Sequence, residues 1–148
     1  MEVTQLFEKH SRIMFDTAPI IYFIEEHKDF GAIMDDMFKL IIGNPEYHAF
    51  SSTITITEVL VQPLRQIKLD IVKKYRKFLL SSTDFLIYPV DSLIAEKAAE
   101  LRAQYEIRTP DAIQLATAIE NKGTLFVTND TRLKRVKEVE ILIIGEYS

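Results

Sequence analysis

Apolar positions along the chain alternate between a helical and an extended period, and the changes of period predict the elements. Val3, Leu6, Phe7 and His10 fall on one side of a short helix over residues 3–10. Residues 12–15 form an apolar run that reads as a strand ending at Asp16. Pro19 suits the first turn of a helix running to about His27, and Ile33, Met37, Leu40 and Ile41 recur at helical spacing over 31–42. Asn44-Pro45 marks a turn. Residues 50–56, rich in Ser, Thr and Ile, read as a second strand, and the helix from about Thr57 is kinked or restarted at Pro63. Ile71, Val72, Tyr75, Phe78 and Leu79 stripe one face of a helix over 69–80, with Lys73, Lys74, Arg76 and Lys77 off the stripe. Residues 85–88 predict a third strand closed by Pro89, and Ser92 is expected to cap a helix burying Ile94, Ala98, Leu101 and Tyr105. Thr109-Pro110 reads as an N-cap followed by proline at the first helical position. The alanine-rich helix it opens is expected to be buried and to end at Gly123. Strands over 124–127 and 141–144 complete the series.

Short apolar strands alternating with helices predict an α/β fold: three layers, α/β/α, around a central parallel sheet of four to five strands. Sites in such sheets form beyond the carboxyl ends of the strands. No repeat or linker divides the chain, which holds only four glycines. One domain over 1–148 is therefore expected, with residues 1–11 as an N-terminal extension before the first strand.

Composition narrows the chemistry. The chain has no cysteine, which removes disulfides, thiolate metal sites and cysteine nucleophiles. Its three histidines have no ligand-like spacing. No apolar run approaches the roughly 20 residues of a membrane span, and the N-terminus lacks the pattern of a secretory signal, so no membrane contact and a cytoplasmic location are expected. The net charge of -4 weighs against a simple phosphate binder. Clustered acids holding a divalent cation, however, become attractive to phosphate.

The acids fall where such a cluster would form. Asp16 follows strand one, Asp130 follows strand four, and Glu58 stands in the expected first turn after strand two. Asp111 stands in the first turn of the helix before strand four. Each alone reads equally well as a helix-dipole partner or a turn residue. Four at element ends, three of them on one sheet edge, exceed what capping explains. Carboxylates brought together repel, and a hard divalent cation relieves the repulsion: Mg²⁺ or Mn²⁺, since soft and imidazole ligands are absent. A metal-activated water is then expected to hydrolyse a phosphodiester with no covalent intermediate.

The residues also resemble a family. Residues 15–22 (FDTAPIIY), 52–58 (STITITE), 109–118 (TPDAIQLATA) and 127–130 (VTND) look like the successive motifs of PIN-domain ribonucleases, above all the toxins of VapBC toxin–antitoxin pairs. The resemblance runs over residues 12–144. It implies a PIN-like α/β/α fold and an endoribonuclease with catalytic residues Asp16, Glu58, Asp111 and Asp130. It further implies that Asp16, Asp111 and Asp130 ligate the metal and that Glu58 ligates it or orients the attacking water. Thr17, Thr128 and Asn129 match supporting hydrogen-bonding positions. RNA as substrate, a homodimer and a silencing antitoxin follow from the same likeness. Two features depart from the pattern: the segment before the first strand, and Ala18-Pro19 where a small polar residue often follows Asp-Thr.

Among the basic residues, 73–77 read as a solvated helix face, whereas Arg132, Lys134 and Arg135 follow Asp130 closely enough to meet RNA. A haloacid-dehalogenase-type phosphatase needs a second aspartate where Ala18 stands, and a receiver domain needs an adjacent acidic pair that the chain lacks. The remaining alternative is a non-catalytic PIN-like module binding RNA or protein, against which the four intact acids argue.

Overall fold

A computed structural model, describing residues 2–147, places five strands in one sheet with every neighbouring pair parallel. They are β1 (Arg12–Phe15), β2 (His48–Ser52), β3 (Phe85–Tyr88), β4 (Leu125–Thr128) and β5 (Glu140–Ile143), in the spatial order β3-β2-β1-β4-β5. From β1 the chain winds outward through β2 and β3, then crosses back to lay β4 on the other side of β1. The winding therefore reverses between β1 and β4, the place where open parallel sheets leave a crevice at their carboxyl ends. Phe15 pairs with Val127 there, and the next amide, Asp16, donates to the Val127 carbonyl at 2.9 Å.

Strand residues alternate between two cores, as the two-residue period requires. Ile13, Phe15, Ala49, Phe85, Leu125 and Val127 face one; Met14, Phe50 and Phe126 face the other. The first core is covered by α1 (Val3–Phe7), α2 (Thr17–Ile24), α3 (Gly31–Ile41), α4 (Thr53–Arg65) and α5 (Leu69–Arg76), and the second by α6 (Ser92–Tyr105) and α7 (Thr109–Glu120). This is the expected three-layer α/β/α arrangement. The segment before β1 is part of it: Phe7 is fully buried in the first core, and the His10 ring bonds the Thr124 hydroxyl at 2.8 Å and Glu140 at 3.2 Å.

Several boundaries differ from expectation. Residues 53–56 are helical, although Thr-Ile-Thr-Ile favours a strand. β3 pairs with β2 as far as Ser52, opposite Tyr88, and the Ser52 hydroxyl caps α4 by accepting the Ile54 amide at 3.2 Å. Glu58 consequently sits in the second turn of α4, out of reach of a dipole role at its start. Pro63 lies inside the last turn of α4, which runs unbroken to Arg65. α5 passes into a π-helical turn over Lys77–Ser81 where a plain α-helix was expected. Asp91 and not Ser92 caps α6, accepting the Ile94 amide at 3.0 Å. Arg108 and not Thr109 holds the cap position of α7, which places Pro110 second in the helix.

Candidate active site

Asp16 directly follows β1 and caps α2, accepting the Thr17 amide on Oδ1 at 2.8 Å and the Thr128 hydroxyl on Oδ2 at 2.8 Å. One carboxylate oxygen is thereby held by the first amide of α2 and the other by the last residue of β4. Asp111 stands in the first turn of α7, whose N-terminus does point to this sheet edge. Asp130 leaves β4 two residues past its end, and its amide donates to the Thr128 hydroxyl at 3.2 Å. Glu58 reaches over from α4, where its Oε1 accepts the Thr17 hydroxyl at 2.6 Å. All four acids line one open cavity of about 510 Å³, together with Thr17, Tyr22, Arg108, Thr128, Asn129 and Arg132. A larger groove of about 660 Å³ between α2 and the end of α5 sets Glu26, Asp35 and Asp84 beside Lys74 and Lys77 around Phe23 and Phe78, away from the strand ends of the switch point.

The electrostatics of the cavity are uneven. Asp16 keeps a partly exposed edge but is otherwise enclosed by protein. That desolvation raises its pKa to about 6, against the hydrogen bonds from Thr128 and Thr17, with Asp111 and Glu58 adding like-charge repulsion. Asp130 shifts the other way. The Arg132 side chain bonds its carboxylate at 2.9 and 2.7 Å and holds its pKa below the ordinary value, with a further contribution from the charge of Arg108. The Arg108 Nε donates to Asp111 at 3.2 Å.

As the side chains lie, no three acidic or imidazole groups among the described residues stand close enough to enclose a metal ion. The donor set nevertheless fits a hard dication. It is all oxygen, Asp16 has no basic partner among the described residues, and Mg²⁺ is usually held by one or two carboxylates with water completing its shell.

Beneath the acids lies a polar network inside an otherwise apolar core. Buried Gln114, one turn along α7 from Asp111, accepts the Ser52 hydroxyl at 2.5 Å and donates to Thr55 at 2.8 Å and Thr17 at 3.2 Å. Ser51 donates to the Phe15 carbonyl and bonds Thr55, both at 2.7 Å. Gln114, Ser51, Ser52, Thr55 and Arg108 were given no role on sequence grounds. The available signal was a glutamine on the face of an apolar helix that also carries Asp111. Asn129 lines the cavity but fastens its own loop, donating to the Tyr22 hydroxyl at 3.2 Å and accepting the Gly145 amide at 2.9 Å. Of the bases expected near RNA, only Arg132 lines the cavity. Lys134 pairs with Glu146 at 2.7 Å, and Arg135 donates to the carbonyls of Tyr105 and Glu106.

Comparison with known proteins agrees with this fold. The PIN domain family model matches residues 13–139. Similar solved structures include VapBC2 from Rickettsia felis bound to a DNA fragment from its promoter, at TM-score 0.73 and 21% identity over 89% of this chain and 98% of that one. A toxin–antitoxin complex from Klebsiella pneumoniae gives TM-score 0.67 and 22% identity over 89% and 97%. The sarcin–ricin loop cleaving toxin VapC20 from Mycobacterium tuberculosis gives 0.68 and 14% over 86% and 98%. A search of curated protein sequences returned no match. No described helix is long and apolar enough to cross a membrane.

Proposed function

The chain belongs to the PIN domain family, and from that premise we propose that it is a metal-dependent endoribonuclease, the toxin of a toxin–antitoxin pair. The observation that carries this reading is the meeting of Asp16, Glu58, Asp111 and Asp130 on one cavity at the switch point of the sheet. The family's general nuclease character and a cleaving toxin among the structural neighbours support it.

Asp16, Asp111 and Asp130 are the residues that would hold Mg²⁺ or Mn²⁺. When bound, the cation supplies positive charge to the phosphate and acidifies a water. Thr128 and the Thr17 amide keep both oxygens of Asp16 turned toward the cavity. Glu58, exposed and anchored at one oxygen by Thr17, accepts a hydrogen bond from the attacking water and orients it. Gln114 holds Thr17 from below, so the orientation of Glu58 rests on the buried network. The water attacks phosphorus as its proton passes to Glu58, the P–O bond to the ribose oxygen breaks, and that oxygen leaves as a hydroxyl by taking a proton from solvent, with no covalent bond to the protein.

The proposed partners are RNA, a second copy of the chain and an antitoxin. Neighbours solved as VapBC and other toxin–antitoxin complexes support the last. Exposed Val61 and Leu64 on α4, with Ile67 and Leu69 just beyond it, offer apolar surface for association.

The test is incubation of the purified protein with a panel of labelled RNAs in Mg²⁺, in Mn²⁺ and in EDTA, beside Asp16→Asn. The expected result is metal-dependent cleavage lowered at least about 100-fold in the variant, the scale on which metal-site lesions act. Equal cleavage by both proteins would overturn the reading. RNA binding without cleavage in any metal would favour the non-catalytic module.

A further inference from the structure

Two arginines reach the acidic cavity from different elements. Arg108 precedes α7, and its guanidinium turns back onto Asp111 at 3.2 Å. Arg132 lies in the 3₁₀ turn Thr131–Arg135 and grips Asp130 with both arms of its fork, Nε to Oδ1 at 2.9 Å and Nη2 to Oδ2 at 2.7 Å. Each therefore occupies lone pairs on a carboxylate that the proposed function gives to a cation. A guanidinium and a dication cannot take the same lone pairs together.

The exposed partner in each pair is the arginine. Both arginine side chains are 67% exposed, whereas those of Asp111 and Asp130 are 13% and 23% exposed. Exposed ion pairs contribute only about 0–1 kcal/mol, so a dication drawing on several carboxylates displaces them readily. A released guanidinium stays tethered at the cavity, and its planar set of donors matches the oxygens of a phosphate. The cavity thus carries its own replacement charge on long side chains.

We propose that Arg108 and Arg132 are exchangeable counter-ions of this site, neutralising Asp111 and Asp130 in the metal-free protein and moving to the phosphates beside the scissile bond once a divalent cation takes those carboxylates. The proposal rests on the ribonuclease reading above. It predicts effects of opposite sign on two ligands, which a purely structural pair of arginines would not produce. Removing either arginine frees a carboxylate for metal and removes a hold on RNA.

The experiment uses the full chain as wild type, Arg108→Gln, Arg132→Gln and Arg132→Lys, with thermal melts to verify folding. Mn²⁺ binding is measured by calorimetry, and binding of a short fluorescein-labelled single-stranded RNA by anisotropy at saturating Ca²⁺. Each glutamine variant is expected to bind Mn²⁺ about two- to fivefold more tightly, the worth of an exposed ion pair. Each is expected to bind RNA about five- to tenfold more weakly, with the slope of log affinity against log salt reduced by about 0.7. Arg132→Lys should keep the salt slope and lose part of the affinity, since it retains the charge without the fork. Mn²⁺ affinity that is unchanged or weaker in both glutamine variants would overturn the proposal and make the arginines positioners of the carboxylates. Unchanged RNA affinity would overturn their phosphate role. A wild type that binds neither Mn²⁺ nor RNA would instead bring down the ribonuclease reading, and this proposal with it.

Discussion

In the acidic cavity, burial pushes Asp16 toward protonation, and the shift has a sign. Its carboxyl has a pKa near 6 in the fold, raised chiefly by burial, against 3.8 as an unperturbed side chain. Between about pH 4 and 6 the folded protein therefore binds the proton more tightly than the unfolded chain does. Stability falls as pH rises through that window, and above it the charged Asp16 remains a cost to the metal-free protein. Asp16→Asn removes the charge in nearly the same shape. In EDTA at pH 7.5 the variant should be more stable than wild type by about 1–2 kcal/mol, a figure reduced from the full shift because the substituted amide mismatches one of its two donors. The gain should vanish near pH 4, as followed by chemical denaturation across the pH range. A variant less stable at pH 7.5 would show the carboxylate to be comfortable without metal. Loss of cleavage together with gain of stability is the usual trade at a functional site.

At the scale of elements, α7 does two jobs with one face. Its first turn presents Asp111 to the cavity, and Gln114 one turn later ties α7 to β2, α4 and the start of α2. Gln114→Leu keeps the volume roughly and strands the Ser52, Thr55 and Thr17 hydroxyls around an apolar side chain. The expected cost is about 2–3 kcal/mol in denaturant unfolding, from buried groups left with fewer partners. Because Thr17 loses one hold while it keeps Glu58 in place, kcat is expected to fall about tenfold with KM little changed. A KM effect alone would place Gln114 in RNA binding and outside the support of Glu58.

For the whole molecule, the segment before β1 bears weight although the match to the PIN family begins only at residue 13. Phe7 has no exposed surface and packs in the core formed by the sheet, α2 and α3, with its ring 6.3 Å from that of Tyr47. Phe7→Ala is expected to cost about 3–4 kcal/mol, the usual loss for a buried aromatic, with metal and RNA affinities preserved at temperatures where it stays folded. A variant melting within a degree or two of wild type would show α1 to be dispensable. The basic residues 73–77 lie on the exposed side of α5 and its π extension, apart from the acidic cavity. Such charge disposition fits RNA being drawn to a local site by a bound cation and its arginines, with no broad basic face needed on a chain of net charge -4.

Periodicity and punctuation suffice to read the five strands, the helices between them and the parallel order, because strands buried on both faces must be short and apolar and their crossovers must be helical. Residues 12–15 are bounded correctly on that ground alone, and so is the helix over 31–41 within a residue. Residues 53–56 are misread because β-branched side chains favour a strand locally, while the end of pairing at Ser52 and its hydroxyl cap decide for a helix. The types and order of Asp16, Glu58, Asp111 and Asp130 are likewise legible, since each stands at or near the start of an element. Three of them can also be placed on one sheet edge by sequence; that Asp111 joins them cannot, because nothing local to residue 111 says where the N-terminus of α7 will point. Nor does local sequence put Gln114 beneath them, since its partners lie 59 to 97 residues away and only packing brings them together; the Arg108–Asp111 and Arg132–Asp130 pairs, three and two residues apart, are by contrast within reach of local spacing. What the chain alone determined is a parallel α/β sheet with acids at its element ends. Tertiary structure decided that Asp111 joins the other three acids in one cavity, that Asp16 is pushed to titrate near pH 6, and that the buried Gln114 network lies beneath them.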